Sequence, residues 1–164
     1  DGLVEILGAV SGFFGAFGST TMVLIAASTT AVAGALSMAA GAFLALNSEK
    51  EVKSTEVAKK VFLGEESQFT PMEEQPLSSA LVVGSAYLMG AIVPVFPVLI
   101  GATDALFSVL TAGLMVVLVS TVLSFLSGMD IKRRILLNLA IITVAVSISY
   151  GIGVVAKNYW GIAL

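Results

Sequence analysis

Four stretches of this 164-residue sequence carry no Asp, Glu, Lys or Arg: residues 6–48, 75–103, 105–129 and 135–156. A helix that crosses the hydrocarbon core of a bilayer needs about 20 mostly apolar residues. Only helices and closed barrels satisfy their backbone groups there. The first run is long enough for two such helices and each of the others for one. The sequence therefore predicts an all-α membrane protein with five transmembrane helices. A soluble fold fails on composition: the chain is 57% hydrophobic and 12% charged, with a mean hydropathy of +1.02. Soluble domains are about a quarter charged, so there is too little polar surface here to cover a buried core.

The predicted spans are 2–18, 21–46, 78–98, 104–126 and 134–156, with a turn at Gly18-Ser19-Thr20 and the second span closing at Asn47-Ser48. Pro94 and Pro97 are expected to distort or end the third span, since proline removes a helical donor and crowds the preceding turn. Residues 47–77 are different in kind, holding eleven of the charged residues. They read as a short soluble segment with one helix near 49–63 and a loop closed by Pro71 and Pro76. Three parts result: 1–46 with spans 1 and 2, an acidic segment 47–77, and 78–164 with spans 3–5 and an interfacial tail. Tyr159 and Trp160 in that tail suit a membrane–water boundary. The sequence opens at Asp1 and not at a methionine, so residues upstream of it are expected.

Charge placement orients the chain. Lys50, Lys53, Lys59 and Lys60 lie between spans 2 and 3, and Lys132, Arg133 and Arg134 between spans 4 and 5, leaving only Lys157 on the other side. By the positive-inside rule, the N-terminus and these two connections are cytoplasmic and the C-terminus is outside. With no cysteine and no histidine, disulfides, thiolate or imidazole metal sites and thiol or Ser-His nucleophiles are excluded. No other nucleophile–base pair and no phosphate-cradling glycine loop stands out, so an enzyme is not expected. The pI of about 4.8 argues against a nucleic-acid partner.

The polar residues inside the spans carry the functional signal. Asp1, Glu5, Gly8, Gly12 and Gly15 fall on one face of span 1, carboxylate at one end and glycine at the other. Span 2 has a comparable stripe of Thr30, Gly34, Ser37 with Met38, and Gly41. The glycines read as helix packing, since small residues let helices approach closely in lipid; Gly151 and Gly153 in span 5 read the same way. Asp1 reads either as a solvated helix-start acid favoured by the helix dipole or as an ion ligand. Glu5 lies a turn deeper, where acids mark ion or proton routes. Met38 reads as core filling or as a soft ligand, and Asp104 as the cap of span 4. The acids of the polar segment are Glu49, Glu51, Glu56, Glu65, Glu66, Glu73 and Glu74, with Met72 beside the last pair. They read equally as a metal-collecting cluster, since carboxylates suit hard and borderline cations and thioethers softer ones, or as a solvated face partly neutralised by Lys53, Lys59 and Lys60.

The order of these features resembles the vacuolar iron transporter family. The resemblance is carried by DGL at the start of span 1, ALSMAAGAFLALNSE at the end of span 2, and PLSSALVVGSAYLMGAIVPVFP in span 3, with its Gly90, Pro94 and Pro97. It implies a five-span homodimer in a prokaryotic cytoplasmic membrane. Such a dimer moves Fe²⁺, often also Mn²⁺, out of the cytoplasm in exchange for protons. The implied ion path lies at the dimer interface, lined by span 1, with Asp1 and Met38 matching the family's ligands and no resident cofactor. A carboxylate-rich cytoplasmic domain would collect metal. PMEEQP resembles the last Met/Glu cluster of that domain and carries the role to Met72, Glu73 and Glu74, beside Glu49, Glu65 and Glu66. Two departures stand out. Relatives carry a span 2 glutamate at a position matching Thr30 or Ala42, and their polar segment is longer. Glu5 is expected to supply the missing charge from span 1. If it does not, the alternative is a non-transporting membrane scaffold or subunit that keeps the fold.

Overall fold

The structure is a computed structural model and describes residues 1–17, 19–64 and 75–160. Five helices follow one another: α1 (Gly2–Ala16), α2 (Thr20–Phe62), α3 (Pro76–Leu99), α4 (Leu106–Ser127) and α5 (Ile131–Trp160). Helices α2 to α5 are long and apolar enough to cross a membrane. Helix α1, with 15 residues, rises about 22 Å at 1.5 Å per residue. Gly18 of the expected turn, the acidic stretch 65–74 and residues 161–164 lie outside the described residues.

Two boundaries differ most from expectation: α5 runs through Trp160 and takes in the first residues of the expected tail, and the second span is longer still. Helix α2 does not close at Asn47-Ser48 but runs on unbroken to Phe62, a length of 43 residues. The helix expected near 49–63 is its continuation. Charge marks where an apolar surface ends, not where a helix ends. No glycine or proline interrupts residues 42–62. Glu49 also pairs with Lys53 one turn on, at 2.6 Å, an orientation that supports a helix. Lys59 and Lys60 in the last turn complement the helix dipole.

Both prolines lie inside α3, and Pro94 is fully buried. The helix ends at Leu99, two residues past Pro97 and within one residue of the expected 98. Beyond it the Ala102 amide donates back to the Pro97 carbonyl at 2.9 Å. Helix α4 stops at Gly128, whose φ of 63° is the left-handed turn that glycine adopts without strain. Asp104 behaves as read: its carboxylate accepts the Leu106 amide at 2.9 Å. Asp130 does the same for Lys132 at the head of α5, at 3.0 Å.

Helix α1 is the axis of the bundle and touches all four others. Around it, α2 packs on α3, α3 on α4 and α4 on α5, but α2 and α5 do not meet. One flank of α1, with Ile6 and Val10, joins a cluster of Val23, Ala27, Ala31 and Ala35 from α2 and Tyr87, Ala91, Val95 and Val98 from α3. The opposite flank places Leu7 with Ala112 of α4 and Ile142 of α5. The alanines keep the helices close, which matters in lipid because apolar faces gain nothing by leaving it and association rests on contact.

Candidate functional site

The glycine stripe of α1 faces α5. A methyl group added at Gly8 would stand 3.2 Å from Ser149 Oγ, one at Gly12 3.0 Å from the Ser149 carbonyl oxygen, and one at Gly15 2.8 Å from that of Tyr150. Gly153 of α5 answers them, lying directly on the Gly12 carbonyl, whereas Gly151 meets nothing within 4 Å. The packing expected of the pair thus belongs to Gly153 alone. On α2, Gly34 makes room for the Tyr87 ring, and Gly41 is open.

With α5 on the glycine edge and α2 and α3 on the Ile6–Val10 edge, Glu5 lies between, toward the slot that α2 and α5 leave open. Among residues 1–17 only Asp1 and Glu5 are exposed. A helix otherwise enclosed by four neighbours therefore presents its two carboxylates. Asp1 occupies the cap position of α1, yet its side chain makes no capping hydrogen bond, so helix-end satisfaction does not occupy it.

Asp1 also lines a cavity of about 560 Å³ together with Met38 of α2. Its lining also includes Gly2 of α1, Tyr87, Met89 and Gly90 of α3, Met115 and Ser120 of α4, and Asn138 of α5. The Asn138 amide donates to Ser120 Oγ at 2.9 Å. Such a chamber combines a carboxylate, thioethers, an amide and a hydroxyl, a donor set that takes divalent ions of borderline softness. It lies toward the end of the bundle that carries Lys132, Arg133 and Arg134.

The remaining expected residues are dispersed. Glu5 is not in the cavity wall. Thr30 donates to the Ala26 carbonyl at 2.8 Å and is half-buried. Glu49 is exposed and paired with Lys53. Glu65, Glu66, Met72, Glu73 and Glu74 lie outside the described residues. Among the described residues, no three acidic side chains converge as a metal site within one chain.

The profile of the VIT family matches residues 1–66 and 59–154, two segments that meet between α2 and α3. The chain belongs to the vacuolar iron transporter family. It matches no curated protein and no solved structure. The members of this family are transporters, which points to movement of metal ions across a membrane. The apolar helices agree, making this an integral, multi-pass membrane protein.

Sequence reading missed Tyr87, Met89, Met115, Ser120 and Asn138. Asn138 and Tyr87 left a signal, as polar groups inside uncharged runs, Asn138 near the start of one and Tyr87 near the middle of another. The methionines left none, because a helical methionine in an apolar run reads first as packing.

Proposed function

We propose that the protein exports divalent metal, Fe²⁺ and Mn²⁺ foremost, from the cytoplasm in exchange for protons, as a homodimer of five-span protomers. The observation that carries this reading is the exposure of Asp1 and Glu5 alone on an otherwise enclosed α1. Two protomers meeting at the slot between α2 and α5 bring four carboxylates together, with Met38 beside Asp1 as the softer ligand and the Thr30 hydroxyl one turn before Gly34. Crowded carboxylates in a medium of low dielectric repel one another. A divalent cation relieves that repulsion, and so do protons. The two compete for the same site, which is the physical basis of exchange.

Glu5 replaces, from α1, the charge that relatives supply at positions matching Thr30 or Ala42. The positive-inside rule puts the connections around Lys50–Lys60 and Lys132–Arg134, and with them the N-terminus, in the cytoplasm. Metal then enters from the end where the Asp1–Met38 cavity lies. The acidic segment, with Glu65, Glu66, Met72, Glu73 and Glu74, gathers it, and Glu49 contributes least because Lys53 already neutralises it.

The test is metal flux into proteoliposomes carrying an internal pH dye, with wild type and Glu5→Gln. The expected result is Fe²⁺- and Mn²⁺-driven proton movement in wild type and a loss of about tenfold or more in Glu5→Gln, the size seen when a metal's ligand environment is disturbed. The variant should still elute as a dimer. Undiminished flux would remove Glu5 from the path. No flux in wild type would leave the scaffold reading instead.

A further inference from the structure

Two polar groups in the Asp1–Met38 cavity are left without a partner by the fold. Asn138 of α5 lines the cavity, and its amide nitrogen donates to Ser120 Oγ of α4 at 2.9 Å. Ser120 is only 2% exposed, so this bond is made inside the bundle and holds the plane of the amide. Among the described residues nothing donates to the other end of that amide, Oδ1, and nothing pairs with the Asp1 carboxylate. An amide oxygen left unpaired in a membrane-spanning helix is costly, and polar side chains placed there mark the path of an ion or a substrate.

Thioethers reach the same space. Met38 of α2, Met89 of α3 and Met115 of α4 all line the cavity, three of the six methionines in the chain and each from a different helix. Core packing does not account for them, because Met38 is 36% and Met115 38% exposed, whereas a methionine that fills a core is enclosed. Met89 is largely exposed and contributes least. At about 560 Å³ the cavity is far larger than a bare ion. At about 30 Å³ per water molecule it admits an ion with its first hydration shell. Glu5 is absent from its wall, so the chamber is a separate place from the slot where Glu5 emerges.

We propose that each protomer by itself holds a partly hydrated divalent ion in this chamber, with the Asn138 carbonyl oxygen and the Met115 sulfur as ligands added to Asp1 and Met38. This rests on the reading of metal passage and gives it a second station with its own selectivity. Mg²⁺ and Ca²⁺ take oxygen ligands, whereas thioethers favour softer ions. The chamber therefore holds Fe²⁺ or Co²⁺ in preference to the hard cations. Its one carboxylate offsets half of the ion's charge, which leaves the ion able to move on.

The test is Mn²⁺ binding to the full chain in detergent micelles, followed by the electron paramagnetic resonance of free Mn²⁺, in the Glu5→Gln background so that the slot contributes least. Asn138→Leu should weaken binding by about tenfold or more, as the loss of even an outer-shell partner does. Asn138→Asp should tighten it, because ligand charge raises affinity for such cations; an amide with a purely structural role would give weaker binding in both variants. Displacement of bound Mn²⁺ by Co²⁺ reads the sulfur. Met115→Leu conserves volume; it should require about tenfold more Co²⁺ for the same displacement, the scale of a disturbed ligand set, and leave displacement by Mg²⁺ unchanged. Binding that ignores Asn138, binding that falls in Asn138→Asp as in Asn138→Leu, or displacement by Co²⁺ that ignores Met115 overturns the proposal. So does binding that Glu5→Gln alone abolishes. Absence of flux in wild type with the Asn138-dependent binding retained would refute the transport reading and leave the chamber standing.

Discussion

Two glycines of α5, two residues apart, allow the α1–α5 contact to be weighed by itself. At Gly153 an added methyl would overlap the Gly12 carbonyl oxygen and stand 3.0 Å from both the Gly12 carbonyl carbon and the Ala16 amide nitrogen. All of these atoms are backbone and cannot turn aside. Optimal carbon contacts lie at about 3.5–4.0 Å, so relieving the overlap with the carbonyl oxygen would part the two helices by about 1 Å or more along their glycine seam. At Gly151 the same methyl meets nothing within 4 Å. Both substitutions to alanine gain helix propensity by a similar amount, about 1 kcal/mol, so it cancels in the comparison. What remains is the overpacking term, about 1–3 kcal/mol. Gly153→Ala should therefore unfold more readily than Gly151→Ala by that amount, a ratio of about 5 to 150 in the unfolding equilibrium. Reversible unfolding in mixed micelles titrated with SDS, followed by circular dichroism, measures it. Because this seam sets the direction of Glu5, Gly153→Ala should also lose metal flux, while Gly151→Ala should retain it. Equal stability of the two variants would refute the packing account of the stripe.

Other expectations follow from single contacts. A double-mutant cycle between Ser120→Ala and Asn138→Leu should give a coupling of about 0.6–1.7 kcal/mol, the range of hydrogen bonds between helices in lipid, since the two side chains meet at 2.9 Å; a value near zero would mean that the bond contributes nothing. Asp130→Ala should destabilise the protein by about 1 kcal/mol in the same SDS titration, because the carboxylate caps the amides of Lys132 and Arg133, and Asp130→Asn should recover most of it. Glu49→Gln should shift stability by no more than a few tenths of a kcal/mol, as exposed ion pairs do.

Much of the architecture is legible in the pattern of charge. The uncharged runs gave the long apolar helices to within a few residues, and capping by Asp104 followed from one side chain beside a run. The end of α2 was not legible, because Asn47 and Ser48 change the polarity of the surface without breaking the backbone ladder. The close of α3 was legible, since the helix ends two residues past Pro97. The site was half legible. Asp1 and Met38, which the structure brings to one cavity, could be named from spacing and resemblance, whereas Glu5, named with them, lies outside its wall. Tyr87, Ser120 and Asn138 enter only because helices remote in sequence bring them to one chamber.

The sequence alone determined which segments leave water and which face of α1 carries carboxylates above glycines. Hydrophobic transfer and helical periodicity act along the chain and need no partner. Which neighbour fills that face could come only from the tertiary structure. Lipid treats every apolar face alike, so the fit of small residues decides: α5 closes on Gly8, Gly12 and Gly15 through Gly153, α2 and α3 close on Ile6 and Val10, and the slot left between α2 and α5 is where Glu5 emerges.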